Sequence, residues 1–279
     1  MATAAPTQTC YRHPNRETGV SCSNCGRPIC PDCMTPTPVG MRCPECSRDR
    51  TQVRSVRSIG GGEATVTKVL IAINVIAFVA ELGTNNSPNG AFERGALFGP
   101  LVADGEWWRL VTGGFLHAQG GYGFIHIGFN MYLLWILGQM LEPAVGRLRF
   151  LGIYAVGLLA GSAGAIAVSP HAVTVGASGA VFGLMGATFF EMRARGIDPF
   201  QTGIGGLILI NLVFSFAFSG ISIGGHIGGL IGGSLAALAL QAADRVRRPE
   251  LGYVALAGLV ALAAVAGVML ADQGGFSSG

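Results

Sequence analysis

The sequence predicts an all-α polytopic membrane protein that is preceded by a small metal-binding domain. Half of its 279 residues are hydrophobic and only 12% are charged, which is about half the charge content of a soluble domain. Glycine is frequent, with 44 residues, and it recurs inside long apolar runs, as in close-packed membrane helices. All seven cysteines lie before residue 47, so the N-terminal part differs in composition from the rest and forms a separate domain.

The N-terminal domain, residues 1–50, contains four pairs of potential metal ligands. The pairs are Cys10 with His13, Cys22 with Cys25, Cys30 with Cys33, and Cys43 with Cys46. Two residues separate the members of each pair, and eight ligands suffice for two tetrahedral zinc ions. Because so short a domain buries little apolar surface, bound zinc would supply its folding free energy and no catalysis. The alternative is a disulfide framework, which would leave one cysteine unpaired.

A basic, glycine-rich linker at residues 51–66 joins this domain to seven apolar segments. The linker has no hydrophobic periodicity, which indicates a flexible tether. Most of the apolar segments approach the ~20 residues that are needed to cross a bilayer. The segments are 67–83, 124–141, 150–168, 177–190, 203–219, 222–241 and 252–271.

The distribution of positive charge predicts the orientation of the chain in the membrane. Arginines occur in the N-terminal region and in the loops at 142–149, 191–199 and 242–251. The loops at 169–176 and 219–221 contain neither lysine nor arginine. The positive-inside rule therefore predicts a cytoplasmic zinc domain and an external C-terminus. We expect the membrane to be the cell membrane, although the sequence does not identify it. A reducing cytoplasm also favours metal-bound cysteines over disulfides.

Four polar residues near the outer ends of apolar segments are candidates for function, because polar groups inside a membrane are costly. His126 and Asn130 are four residues apart and share one face of the second segment. Ser178 opens the fourth segment, and His226 lies near the start of the sixth. At ~1.5 Å per residue, all four lie within roughly 10 Å of the outer boundary. The shared depth indicates one site just below the outer surface.

The residue types at this depth predict nucleophilic catalysis. Ser178 becomes a nucleophile if His226 removes its proton. His126, Asn130 and the backbone N–H of Ser178 can donate to a developing oxyanion. No Asp or Glu lies at this depth, so we expect a Ser–His dyad without a third carboxylate. Glycines at four-residue spacing on the sixth segment allow it to approach Ser178 closely. These glycines are Gly225, Gly229 and Gly233.

These motifs together resemble those of the rhomboid intramembrane serine proteases. The similarity rests on Gly176-Ala177-Ser178-Gly179, on the His126/Asn130 pair, on His226 with the glycines that follow it, and on Trp108-Arg109 in the long external connection 84–123. The resemblance covers about residues 65–241. It implies a six-helix protease core, at 67–241, that cleaves single-pass transmembrane proteins near the outer face. Ser178 would be the nucleophile, His226 the base, and His126 and Asn130 the oxyanion donors.

Both ends of the chain resemble known additions to such a core. The segment 252–271 is similar to the extra C-terminal helix of "six plus one" rhomboids. The cysteine-rich domain resembles the B-box type zinc finger, in which the first ligand pair shares an ion with the third and the second with the fourth. Spacing alone leaves that order open. The expected partners are the lipid bilayer, membrane-protein substrates and a cytoplasmic protein that binds the zinc domain; no nucleic acid is expected.

Two other classes of function are compatible with parts of the sequence. A catalytically inactive rhomboid-like protein would bind membrane clients, although such proteins typically lack the serine or the histidine. A transporter with a histidine proton relay would need polar residues across the whole bilayer. Of the other polar residues, Asn74 and Asn211 are expected to form interhelical hydrogen bonds, and His117 and His171 to be solvated or structural.

Overall fold

The computed structural model describes residues 8–37, 40–48, 63–84, 90–218 and 220–273. The chain divides into two units, Met1–Ser58 and Ile59–Gly279, and each has its own core. Residues 51–62 of the predicted linker lie outside the described residues, as does the tail after Gln273.

The first unit consists of two short hairpins and connecting loops. Strand β1 (Gln8–Thr9) pairs antiparallel with β2 (Glu17–Thr18), and β3 (Thr35–Thr37) pairs antiparallel with β4 (Gly40–Arg42). Helix α1 (Pro44–Arg48) follows. Among the described residues of this unit, the buried apolar cluster contains six cysteines and a single aliphatic side chain, Ile29. Such a core is too small to hold the fold by burial alone.

The second unit is helical. Within its described residues the helices are, in chain order, α2 (Thr65–Gly83), α3 (Ala91–Gly95), α4 (Gly99–Ala103), α5 (Arg109–Thr112), α6 (Gly121–Val145), α7 (Arg147–Val168), α8 (Ser178–Ala194), α9 (Ile204–Ala217), α10 (Ile223–Arg245) and α11 (Pro249–Gln273). Five of them, α2, α6, α7, α10 and α11, are long and apolar enough to cross a membrane. Helices α8 and α9 are shorter, with 17 and 14 residues. Together, the five long helices and the two shorter ones follow the order of the predicted apolar segments, which confirms the fold class.

Small residues allow helices α7, α8 and α10 to pack closely against one another in this unit. A Cβ atom on Gly183 of α8 would lie 2.7 Å from the Cα of Gly157 on α7. A Cβ on Gly229 of α10 would collide with the carbonyl oxygen of Gly179 on α8. Glycine is therefore required at these positions, because only a backbone without a side chain can approach so closely. The predicted close approach of the sixth segment to Ser178 is present at Gly229.

Helix α6 extends beyond residue 141, the predicted end of the second apolar segment, because the carboxylate of Glu142 is buried and hydrogen-bonded. The carboxylate of Glu142 accepts hydrogen bonds from the backbone N–H groups of Val66 at 2.9 Å and Thr67 at 2.8 Å, and from the Thr67 hydroxyl at 2.7 Å. First-turn N–H groups have no partner within their own helix. Glu142 therefore caps α2 and complements the positive end of its dipole.

The connection between α2 and α6 is structured over residues 90–120. Arg109 is buried and donates to the carbonyl oxygens of Ala96 at 2.7 Å and Glu93 at 2.9 Å, and to the Glu106 carboxylate at 2.5 Å. These bonds tie α3, α5 and the turn between α4 and α5 together. The neighbouring Trp108 is exposed.

Asn74 and Asn211, for which interhelical hydrogen bonds are predicted, each use one amide N–H for a hydrogen bond within their own helix. Asn74 donates to Leu70 and Asn211 to Leu207, each at 2.8 Å and each four residues back in its own helix. The local carbonyl is the nearest acceptor for a short amide side chain in a helix.

Candidate active site

The segment before Ser178 is held by backbone hydrogen bonds to the connection between α2 and α6. Leu97 and Thr174 exchange N–H···O bonds of 3.0 and 2.9 Å, and the Gly176 N–H donates to the carbonyl of Gly113 at 2.9 Å. Gly176 has φ +128°, a conformation that favours glycine. The chain then turns into α8, and Ser178 is its first residue.

His226 lies in the first turn of α10, directly beside Ser178. The side chain of Ser222 caps this helix by accepting a hydrogen bond from the Gly225 N–H at 3.1 Å. The Nε2 atom of His226 lies 2.8 Å from the Oγ of Ser178. The contact between Gly229 and Gly179, one turn further along, allows this approach. The structure thus brings the predicted nucleophile and base into hydrogen-bonding contact.

Two residues that were not predicted from the sequence also contact the His226 ring. The Phe182 ring stacks on it, with centroids 4.1 Å apart and planes 18° apart. The hydroxyl of Ser215, on α9, lies 2.5 Å from the Nδ1 atom. Phe182 reads as an ordinary core residue, because it lies one turn after Ser178 on an apolar helix. The sequence does contain one signal for Ser215: it lies near the end of the fifth apolar segment that adjoins the loop at 219–221, which is the end predicted to share the depth of the other four polar residues.

His126 lies beside the segment that leads to Ser178. A Cβ on Gly176 would lie 2.8 Å from His126 Nε2, so glycine is needed for the ring to fit there. The backbone N–H of Ala118 donates to His126 Nδ1 at 3.2 Å. A neutral imidazole carries a single N–H, so this bond leaves the proton on Nε2. The Nε2–H of His126 is therefore a hydrogen-bond donor that lies close to Gly176, two residues before the start of α8.

Asn130 lies one turn after His126 and is 3% exposed. Its amide nitrogen donates to the carbonyl oxygen of His126 at 3.0 Å, and not to Ser178. An amide NH₂ group has a second N–H. Of the four predicted residues, the structure therefore pairs Ser178 with His226 directly and places His126 against the approach to Ser178, with Asn130 bonded to His126.

The sequence predicts that His117 is either solvated or structural. The side chain is completely buried, so its role is structural. Its ring lies edge-on to that of His126, with centroids 5.1 Å apart. Its backbone N–H donates to both oxygens of the Glu81 carboxylate, at 3.2 and 3.1 Å. Burial, with a smaller contribution from His126, lowers the pKa of His117 to about 4. It is therefore a neutral ring at pH 7 that packs against His126.

The cysteine-rich unit contains two separate ligand sets. One is Cys10, His13, Cys30 and Cys33, and the other is Cys22, Cys25, Cys43 and Cys46. Within each set the ligand atoms lie within 4.8 Å of one another. All seven cysteines are among the described residues, and none forms a disulfide. The first pair is therefore combined with the third and the second with the fourth, which is the interleaved order.

The distances within these sets fit a tetrahedral metal ion. Zinc bonds of ~2.3 Å to sulfur and ~2.0 Å to nitrogen place neighbouring ligand atoms about 3.5–3.8 Å apart. His13 Nδ1 lies 3.3–3.8 Å from the sulfurs of Cys10, Cys30 and Cys33. The sulfur atoms of Cys25 and Cys43 are 3.8 Å apart. Backbone and side-chain N–H groups also donate to the sulfurs, which is usual around metal-bound thiolates. Examples are Cys43 N–H to Cys22 and Asn24 to Cys46, each at 3.3 Å.

Comparisons with known proteins agree with this geometry. The family model described as the rhomboid domain matches residues 104–243, which is half of the chain and includes all four predicted catalytic residues. Rhomboid protease GluP of Bacillus subtilis (strain 168) is 41% identical over 188 residues, which cover 64% of this chain and 35% of GluP. Rhomboid protease AarA of Providencia stuartii is 33% identical over 103 residues, which cover 36% of this chain and 34% of AarA.

A eukaryotic protein is similar to the same extent. Rhomboid-like protease 1 of Toxoplasma gondii is 31% identical over 107 residues, which cover 35% of each chain. The chain spans about a third of the length of the curated relatives it matches. A family model matches half of the chain, and five helices in the part that the structure describes can cross a bilayer, so this integral membrane protein belongs to the rhomboid family.

Proposed function

We propose that the protein is an intramembrane serine endopeptidase that cleaves single-pass transmembrane proteins near the outer membrane face. The observation that carries the proposal is the 2.8 Å contact between Ser178 Oγ and His226 Nε2 at the adjoining starts of two packed helices. A serine becomes a nucleophile only when a base can accept its proton. GluP and AarA, which are named rhomboid proteases, add support.

In the proposed reaction, Ser178 Oγ attacks the scissile carbonyl carbon and its proton passes to His226 Nε2. The C–N bond then breaks, and His226 returns the proton to the departing amine. The product at this stage is an acyl-enzyme on Ser178. Water attacks the ester carbonyl, its proton passes to His226, and the new acid departs as the proton returns to Ser178. The chemistry needs no metal or cofactor.

The oxyanion that forms at each attack would be stabilised by three kinds of donor. The N–H of Ser178 is in the first turn of α8, where backbone N–H groups lack intrahelical acceptors and the helix dipole is positive. His126 offers its Nε2–H, because Ala118 occupies Nδ1. We assign the second N–H of the Asn130 amide to the same role. Preorganised donors of this kind are each worth about 100- to 1,000-fold in kcat.

We propose that both ligand sets of the first unit bind zinc, because three thiolates with an imidazole, and four thiolates, are typical zinc ligands. Bound zinc would supply folding free energy to a unit whose only buried aliphatic side chain, among the residues described, is Ile29. Four protein ligands leave no open position for catalysis. We therefore assign this unit, residues 1–50, a structural role and the recruitment of a cytoplasmic partner.

The topology is part of the proposal. Arginine-rich loops would face the cytoplasm with the zinc unit, and the C-terminus would lie outside the cell membrane. The protease core would be residues 67–241, with α11 as the additional helix. A deletion of residues 1–50 tests recruitment. It should reduce the number of proteins that co-purify with the chain, and unchanged partners, stability and cleavage would contradict a recruiting role.

The activity is tested with the full chain in liposomes that contain a single-pass model substrate with small residues near its outer end. We expect the wild type to cut the substrate at one site and to release two fragments, Ser178→Ala and His226→Ala to leave it intact, and Ser234→Ala to cleave it normally. Ser234 is a suitable control because its hydroxyl donates only to Leu230 in its own helix, at 2.7 Å. If the wild type binds the substrate and leaves it intact, the inactive client-binding function replaces the protease.

A further inference from the structure

We propose that Ser215 of α9 is a positioning residue that fixes the tautomer and orientation of His226. The proposal rests on the proposed function and extends it from a dyad to a chain of three side chains, Ser178, His226 and Ser215. Ser215 is 1% exposed, and its hydroxyl lies against the side of the imidazole opposite to Ser178. Helix α9, which carries Ser215, would thus hold the ring of His226, although Ser178 and His226 lie on two other helices.

The direction of the hydrogen bonds follows from the number of protons. Ser215 Oγ donates its proton to the carbonyl oxygen of Asn211 at 2.7 Å. A hydroxyl has a single proton, so toward His226 Nδ1, at 2.5 Å, Ser215 can only accept. The opposite direction would leave two oxygen lone pairs facing each other at 2.7 Å.

This direction determines which nitrogen of His226 is free to act as a base. If Nδ1 carries the proton, a neutral imidazole has a bare Nε2. The bare nitrogen is the one that lies 2.8 Å from Ser178 Oγ. The other tautomer would place an N–H against the serine and could not remove its proton. Ser215 therefore selects the tautomer that catalysis requires.

Ser215 also contributes after proton transfer, when His226 is positively charged. A hydrogen bond from a charged donor is stronger than one from a neutral donor, so the Nδ1–H···Oγ bond strengthens as the imidazolium forms. In many serine hydrolases a carboxylate does this, but residues 199–243 contain no Asp or Glu. The Ser215 hydroxyl, oriented by the Asn211 carbonyl, takes that position.

Two different contacts then restrict the ring of His226. Phe182 stacks on its face at 4.1 Å and keeps the ring from tilting. Ser215 bonds to its edge and keeps the ring from turning within its own plane. Only the contact with Ser215 specifies which nitrogen carries the proton. Removal of the Ser215 hydroxyl should therefore change the tautomer of His226, whereas a loss of packing alone should not.

The test compares Ser215→Ala, Ser215→Thr and the control Ser234→Ala in the full-length, detergent-purified protein. Ser234 matches Ser215, because both hydroxyls donate at 2.7 Å to the carbonyl four residues back. The first readout is the inactivation rate with a fluorophosphonate, separated into initial probe binding and the maximal rate. The second is the ¹⁵N NMR spectrum of the His226 ring, assigned by its loss in His226→Ala.

We expect the maximal rate of Ser215→Ala to fall by about 10- to 100-fold, as for loss of a hydrogen bond to a charged group, with little change in probe binding. Ser215→Thr keeps the hydroxyl and should recover most of the rate, and Ser234→Ala should match the wild type. The ¹⁵N spectrum should show the Nδ1–H tautomer in the wild type and a mixture of tautomers in Ser215→Ala.

Three results would overturn the proposal, and they differ in what they reject. A wild type that is not labelled rejects the proposed function together with the role of Ser215. A labelled wild type with Ser215→Ala equally fast rejects the positioning role alone. A slow Ser215→Ala that keeps the Nδ1–H tautomer and is not rescued by Ser215→Thr shows a packing role only.

Discussion

The contact between Gly229 and Gly179 sets the distance between the proposed nucleophile, Ser178, and the proposed base, His226, so a single methyl group there should disable the proposed site. A Cβ on Gly229 would lie 2.8 Å from the carbonyl carbon and 3.0 Å from the Cα of Gly179, and it would collide with the carbonyl oxygen. Non-bonded carbon atoms stay about 3.5–4.0 Å apart. Gly229→Ala should therefore separate α8 and α10 by about 1 Å at this level.

That separation acts directly on the hydrogen bond between Ser178 and His226. Ser178 adjoins Gly179 in the chain, and His226 lies one turn before Gly229. The 2.8 Å bond would lengthen to about 3.8 Å, which is beyond hydrogen-bonding distance. A displacement of about 1 Å can lower a reaction rate about 100-fold. The extra methyl group should also cost about 1–3 kcal/mol of stability through overpacking.

The assay is the rate of fluorophosphonate labelling together with the Tm of each variant. Gly258→Ala is the matched control, because a Cβ at that position on α11 would meet nothing within 4 Å. We expect Gly229→Ala to be folded and labelled about 100-fold more slowly, and Gly258→Ala to behave as the wild type. A folded Gly229→Ala that is labelled at the normal rate would refute the reasoning.

Other predictions concern stability and metal content. Burial lowers the pKa of His117 to about 4 from an ordinary 6.5, so between these values the His117 side chain binds more protons in the unfolded state than in the fold. The contribution of His117 to stability should therefore fall as the pH is lowered from 6.5 to 4, by up to about 3 kcal/mol. The difference in Tm between the wild type and His117→Phe should shift in favour of the variant over this range, and a constant difference would contradict this. Glu142→Gln should lower stability by about 1–3 kcal/mol, because it weakens the cap on α2; an unchanged Tm would show that the charge is unimportant. Elemental analysis should give two zinc ions per chain and one in Cys22→Ser, and a chelator should make the first unit sensitive to proteases; full zinc content in Cys22→Ser would argue against that ligand set.

Much of the fold could be predicted from the sequence, because a bilayer imposes simple limits on helix length and charge. The deviations have local causes. The second segment was predicted to end before Glu142, since a carboxylate is costly in an apolar helix. The helix continues because that carboxylate meets the unpaired N–H groups of α2, and this long-range partner could not be read from local composition.

The site was predictable to the extent that its residues are unusual for a membrane helix. The sequence pattern predicts one depth in the membrane for the polar residues His126 and His226, so their position alone indicates a site. Ser215 and Phe182 were missed because serine and phenylalanine are ordinary packing residues in membrane helices. Their contribution depends on which edge or face of the His226 ring they touch, and only the three-dimensional arrangement gives that information.

The central claim is that His226 activates Ser178, and mapping the fluorophosphonate adduct by mass spectrometry tests it most directly. The adduct should lie on Ser178 in the zinc-loaded wild type and should be absent from both Ser178→Ala and His226→Ala. Ser234→Ala should carry it at the wild-type level. An adduct on another residue, or one on Ser178 that forms equally well without His226, would contradict the account.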